Sequence, residues 1–193
     1  MADAGRVIAG SARGIRLVAP GPAARPLGDR VKQTLFAVLE EDLRDARVLD
    51  LFAGSGAAGI EALSRGARFA TFVERDRAAS GIIGDNLRRT HLAGRAIVVR
   101  AEAIAWLTAR AAGSEPFDVA ILDPPYAETQ LLSRALEALG RPGVMAPGGR
   151  VVAKHFWRSA PAARIGLLAS ERERRFGETA LTFYRAGSDE EER

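Results

Sequence analysis

From Arg47 onward the chain alternates short, near-continuously apolar runs with stretches of helical length. RVLDLF (47–52), RFATFVE (68–74), AIVVR (96–100) and FDVAILD (117–123) are separated by helical segments near 57–65, 77–91, 102–111 and 128–139. Strands that are apolar on both faces must be covered on both, and parallel strands need a crossover between them, which the intervening helices supply. The pattern predicts an α/β chain with a Rossmann-like, mostly parallel sheet. PGGRVVAKHF (147–156) continues it, and ETALTFYR (178–185), where apolar and polar residues alternate, predicts a late antiparallel strand that makes the sheet mixed. Upstream, RVIAG (6–10) and GIRLVAP (14–20) read as two short strands around SARG. DRVKQTLFAVLEEDL (29–43) reads as a helix with Asp29 as N-cap and Val31, Leu35, Val38, Leu39 and Leu43 on one face. The expected organisation is a basic, hairpin-like extension over 1–28, one principal domain over 29–187 and a polar tail over 188–193.

With 193 residues, 47% of them hydrophobic, the chain can bury one full core. It has no apolar run near the roughly 20 residues that span a bilayer, and its start, MADAGRVIAG, lacks the basic-then-apolar order of a signal peptide. A cytoplasmic protein without membrane contact is expected. The chain has no cysteine, and His91 and His155 stand far apart, so no metal site is expected. Residues 1–35 carry Arg6, Arg13, Arg16, Arg25, Arg30 and Lys32 against Asp3 and Asp29, a net +4 that equals the charge of the whole chain. Such a segment suits a polyanion such as RNA, because Lys and Arg release counterions from phosphates; on charge alone, a solvated face explains it as well.

In an open parallel sheet, ligands bind at the carboxyl ends of the strands where the strand order reverses. The first strand runs into LDLFAGSGAAG, whose Gly54, Gly56 and Gly59 fit the G-x-G-x-x-G of dinucleotide sites. Asp50, four residues earlier, opposes that reading: a carboxylate there repels a pyrophosphate and attracts a cation. S-adenosylmethionine carries a sulfonium and an ammonium and no phosphate. The glycines then let the backbone of Ala53, Gly54, Ser55 and Gly56 approach its amino-acid part. FVERD ends the second strand with Glu74, placed to accept from both ribose hydroxyls, followed by Arg75. After the third strand, Glu102, with Ala103 behind it, either accepts from the adenine amine or favours the dipole of the helix it begins. Trp106 belongs to the core.

The fourth strand ends in DPPY, residues 123–126. Two consecutive prolines fix two φ angles and remove two backbone donors, which turns the corner into a rigid row of acceptors. The carboxylate of Asp123 and the carbonyl of Pro124 can accept from one exocyclic amine while Tyr126 stacks on the base that carries it. An aromatic amine held in this way regains lone-pair character and can take a methyl group in line. A structural Asp-Pro turn is the plain alternative.

VLDLFAGSGAAGIEALSRGA, FVERD, LDPPY and RFGETALTFYR, with the N-terminal RVIAGSARGIRL and RPLGDRVKQTLF, resemble the bacterial 16S rRNA (guanine-N2)-methyltransferase family, RsmD-like, over nearly the whole chain. The resemblance implies a class I S-adenosylmethionine-dependent methyltransferase fold and methylation of the 2-amino group of one guanine in 16S rRNA. Its substrate would be a partly assembled small ribosomal subunit. Separately from the resemblance, a monomer is expected. Asp50, Gly54, Ser55, Gly56 and Glu74 match the family's cofactor positions, and Asp123, Pro124 and Tyr126 its catalytic corner. DPPY also occurs in DNA adenine-N6 and cytosine-N4 methyltransferases, so it names the chemistry and leaves the base open. The alternatives are such a DNA enzyme, for which the chain lacks length for a separate target-recognition domain, and an RNA-binding assembly factor with a vestigial cofactor site. The family's RPT-x-DRVRE stands here as RPLGDRVKQ, with Gln33 in place of an acid. AKHFW (153–157) is more basic and aromatic than the family pattern suggests; Lys154, His155 and Trp157 either touch RNA or form strand edge and core.

Overall fold

The computed structural model describes residues 2–21, 28–110, 113–125 and 128–188. Tyr126, Arg25 and the tail beyond residue 188 lie outside the described residues.

Two short strands, β1 (Ala2–Arg6) and β2 (Arg16–Ala19), pair antiparallel as a separate hairpin. The helix α1 (Asp29–Val38) leads into a sheet built from β3 (Arg47–Leu51), β4 (Phe69–Glu74), β5 (Ala96–Arg100), β6 (Phe117–Leu122), β7 (Met145–Phe156), β8 (Arg164–Ile165), β9 (Leu168–Phe176) and β10 (Thr179–Ala186). Between these strands lie α2 (Ala57–Ser64), α3 (Arg77–Arg89), α4 (Ala103–Thr108) and α5 (Thr129–Leu139). Among the described residues the sheet order is β5-β4-β3-β6-β7-β10-β9-β8. The first five are parallel, and β10 inserts antiparallel between β7 and β9. The chain enters at β3, steps outward through β4 and β5, and returns to the other side of β3 with β6. The order therefore reverses between β3 and β6, which places the crevice at their carboxyl ends.

The period-2 rule sorts the core into two layers. Val48, Phe72, Val119, Ile121 and Val152 face α1, α2 and α3, with Leu35, Phe36, Ile60, Leu63, Ile83 and Leu87 opposite them. Leu49, Leu51, Val73, Ala120, Leu122 and Val151 face α4 and α5, against Ile104, Leu107, Leu132 and Leu136. Trp106 packs on this second layer, its ring 6.4 Å from that of Phe117. Ala4, Val7, Ala12, Leu17 and Ala19 of the N-terminal segment belong to the first layer, so the hairpin shares the core of the sheet.

The structure departs from expectation at three places. The first strand is Ala2–Arg6 instead of 6–10. Ile8 and Ala9, read as strand, donate their N–H groups at 2.7 and 3.0 Å to the carboxylate of Glu61 on α2. A buried anion competes for those donors better than a second strand does. The helix α1 begins at Asp29 itself, and its N-cap is Gly28, without a side-chain cap; Asp29 favours the dipole from the first turn. The antiparallel part holds three strands instead of one. In β9, LASERERRF, most residues are exposed, so no apolar alternation marks it; it is held by backbone pairing with β10.

Candidate active site

Parallel register aligns the strand ends. Leu51 of β3 pairs with Val73 and with Leu122, and Leu122 with Ala153. The residue after each of these is Phe52, Glu74, Asp123 and Lys154, so these four form a row across the mouth of β4, β3, β6 and β7.

The glycine loop leaves β3 through Phe52, a non-glycine residue at φ +68°. Such a conformation costs about 1 to 3 kcal/mol and persists only where the surroundings enforce it. Here three bonds do so: Ala53 N–H donates to the Val73 carbonyl, Gly56 N–H to the Ala53 carbonyl, and Gly54 N–H to Glu74 Oε2 at 2.8 Å. Gly56, at φ +77°, is the left-handed N-cap of α2. Gly59 has a different task from the close ligand approach read from the sequence. A Cβ on it would stand 2.4 Å from the ring of Phe72, so its hydrogen lets α2 lie against the sheet.

That close packing brings the Gly59 N–H within 2.8 Å of Asp50 Oδ2. Asp50 is 2% exposed. Burial pushes its carboxyl up to about 7, against the Gly59 hydrogen bond, and the nearby charges of Asp123 and Glu74 add to the rise. Glu74 also accepts from Asp76 N–H at 2.8 Å, so its carboxylate ties the glycine loop to the start of α3. The exposed Arg75 pairs with Glu128 across the site at 3.0 Å. Glu102 is the N-cap of α4, accepting from Ile104 and Ala105 N–H, with the buried Ala103 opening the helix. The helix-end reading of Glu102 is thus what the structure displays.

The buried Asn86 of α3 carried no signal in the sequence. Its Nδ2 donates to the carbonyls of Val18 and Ser55 and its Oδ1 accepts from Val18 N–H, all at 2.9 Å. One amide thereby joins the hairpin to the glycine loop.

At the corner, Asp123 Oδ1 accepts from Lys154 Nζ at 2.6 Å. Burial raises the Asp123 carboxyl above the usual carboxylate range, and the Lys154 charge and hydrogen bond oppose that rise. Pro124 is buried, and the carbonyl of Pro125 accepts from Glu128 N–H. Beside the corner, on its β7 side, lies a cavity of about 320 Å³ lined by Pro124, Pro125, Leu132, Lys154, Phe156 and Ser159 among others. His155 points into the core, with Nε2 2.8 Å from Thr182 Oγ1. Trp157 lies under the guanidinium groups of Arg175 and Arg158, 3.6 and 4.7 Å from its ring centre.

Of the expected RNA-contacting residues, Arg6, Arg13, Arg16 and Arg30 are exposed, Arg16 pairing with Asp3 at 2.8 Å. Lys32 has to be corrected. It is 1% exposed, and its Nζ donates to the Arg6 carbonyl at 2.7 Å, because it shares the inward face of α1 with Leu35 and Phe36. It fastens the hairpin and has no access to RNA. Among the described residues no cluster of three or more His, Asp or Glu side chains could hold a metal ion, and no helix is long and apolar enough to cross a membrane.

The family model described as "conserved hypothetical protein 95", the RsmD family, matches residues 5–185. The chain belongs to this family. YlbH of Bacillus subtilis, named for rRNA methyltransferase activity, is 37% identical over 181 residues, which cover 93% of this chain and 98% of that protein. The ribosomal RNA small subunit methyltransferase D of Escherichia coli is 45% identical over 122 residues, 63% of this chain and 60% of that enzyme's length. Among solved structures, YhhF of Escherichia coli, named as a methyltransferase, superposes with a TM-score of 0.83 at 33% identity over 95% of this chain and 98% of that one. These relatives place the fold among class I methyltransferases, with the mixed sheet and small hairpin described above.

Proposed function

We propose that the chain is an S-adenosylmethionine-dependent rRNA methyltransferase that methylates the 2-amino group of a guanine in 16S rRNA, acting as a monomer on a partly assembled small subunit. The observation that carries this reading is the convergence of three carboxylates, Asp50, Glu74 and Asp123, at the ends of adjoining strands, the last on a corner stiffened by two prolines. The donor set fits a cationic cofactor and opposes a pyrophosphate. Glu74, Arg75, Glu102, Ala103 and the backbone of Ala53 to Gly56 would hold it, and the buried Asp50 would act from behind the loop through its hydrogen bond to Gly59. S-adenosylmethionine, when bound, would supply an electrophilic methyl group, its S–CH3 bond breaking as the N–C bond forms and S-adenosylhomocysteine leaving as the neutral thioether. The cavity beside Pro124 seats the base, and Asp123 with the Pro124 carbonyl holds the hydrogens of its amine. As the new N–C bond forms, the nitrogen gains positive charge and gives up a proton. The Asp123 carboxylate stabilises the charge and accepts the proton.

Methyl transfer to subunit particles lacking the modification, followed by mapping of the methylated nucleotide, tests the whole reading; modification of adenine, or of DNA, would overturn it. Calorimetric titration tests the cofactor. Binding of S-adenosylmethionine and no binding of NAD are expected. Glu74→Ala should weaken the former by about 1 to 3 kcal/mol, because it removes a part-buried acceptor and frees the Gly54 N–H.

Cutting away the hairpin would open the core and leave Asn86 without Val18, so RNA binding is better tested by charge. Replacing Arg6, Arg13 and Arg16 together by Ala should lower the slope of log affinity against log salt by about 2 to 3 units for three phosphate contacts. Cofactor affinity should stay the same. An unchanged slope would mark these arginines as a solvated face.

A further inference from the structure

We infer that Lys154 is a positioning residue for the methyl transfer: its ammonium holds Oδ1 of Asp123, so that the carboxylate meets the substrate amine ionised and in one orientation, with Oδ2 as the oxygen for the amine. The inference rests on the role proposed above for Asp123.

Three observations support it. The contact is short, 2.6 Å, between side chains that are 14% and 23% exposed, so water screens the pair weakly. It is fixed by the sheet, since Leu122 and Ala153 pair in register and the residues after them are therefore neighbours at the same strand ends. Finally, Lys154 also lines the cavity that seats the base, together with Pro124 and Phe156, so it stands at the reacting corner.

The surroundings of Asp123 show why such a residue is needed. From β3, the buried Asp50 is near enough for the charge of Asp123 to raise its carboxyl, and Glu74 of β4 acts on Asp50 in the same way. From the segment before α5, Glu128 lines the cavity and is paired with Arg75. Burial favours a protonated Asp123, which would lose the negative charge that stabilises the amine as it becomes cationic. The ammonium of Lys154, from β7, opposes it by charge and by hydrogen bond.

The test is the pH dependence of single-turnover methylation of unmodified subunit particles, measured with full-length wild type, Lys154→Met, Lys154→Gln and Lys154→Arg. In wild type the rate falls on the acid side as Asp123 takes up a proton. Without the ammonium the folded Asp123 is protonated at higher pH, so the acid limb of Lys154→Met and Lys154→Gln should move upward by at least about one unit, about tenfold in rate below the limb. Activity should return toward wild type at alkaline pH. Lys154→Arg should restore the wild-type limb, and cofactor affinity should be unchanged in all variants. A limb that stays in place, or a loss equal at every pH, would overturn the inference and leave Lys154 a structural member of the strand. If Lys154→Met does not fold, Lys154→Gln and Lys154→Arg decide the matter by the same limb. Asp123→Ala run in parallel separates the two ideas. Normal turnover there removes the role of Asp123 itself, whereas a dead Asp123→Ala with an unmoved limb in the Lys154 variants removes this inference alone.

Discussion

Asp123→Ala is expected to lower the rate of methyl transfer to rRNA by about 10² to 10⁴, the range for a group that both removes a proton and stabilises developing charge, while S-adenosylmethionine affinity stays within about twofold. The two effects separate because of where the side chain sits. Asp123 directly follows β6, its Oδ1 is held by Lys154, and the contacts proposed for the cofactor come from the ends of β3, β4 and β5. In the ground state the substrate amine is neutral and a carboxylate gains little from it. When the nitrogen becomes cationic, the same carboxylate, 23% exposed, gains much more, so its removal acts on kcat. Asp123→Asn keeps the shape and one acceptor and should still lose most of the rate. Single-turnover methylation with parallel cofactor titration measures both quantities. Near-normal turnover would mean that the amine is activated elsewhere, and a lost cofactor affinity would make Asp123 a cofactor ligand.

The parts of this molecule that were legible in its sequence are those where one strand or turn carries its own signal. Apolar runs such as FDVAILD announce a buried parallel strand, because both of its faces must be covered. The acids that end those runs fall at the crevice by topology alone. Long-range partnerships were not legible. Nothing in LASERERRF marks a strand, since its side chains bury little and its backbone partners lie in β10. Lys32 counts as one more positive charge in a basic segment until the rotation of α1 turns it inward. The same holds for Asn86, whose partners Val18 and Ser55 are 68 and 31 residues away. Phe52 is a residue type that gives no warning of a left-handed turn. The pairing of Lys154 with Asp123 needs the β6–β7 register, which a sequence alone does not supply.

Glu61→Ala is expected to destabilise the fold by about 3 to 5 kcal/mol, the cost of removing one partner of a buried ion pair whose other members remain. Glu61 is 0% exposed in the middle of α2. It accepts from Ile8 N–H at 2.7 Å, Ala9 N–H at 3.0 Å and Arg65 Nε at 2.8 Å, and its charge favours the buried ammonium of Lys32. Its removal strands two backbone donors that have left the strand pairing, and it leaves the guanidinium of Arg65 without its carboxylate. Glu61→Gln keeps one acceptor oxygen without the charge and should cost less, about 1 to 3 kcal/mol. Urea unfolding of the three proteins gives the difference. A loss below about 1 kcal/mol for the alanine variant would mean that water or a neighbour replaces the carboxylate and that the hairpin is held by its apolar residues alone. The defect should also reach the cofactor loop. Once the segment after β1 is released from α2, Val18 loses its fixed place, and with it Asn86 loses the partner that orients its amide toward the carbonyl of Ser55. S-adenosylmethionine should therefore bind Glu61→Ala more weakly than wild type even where both are folded, although Glu61 lies outside the proposed cofactor site.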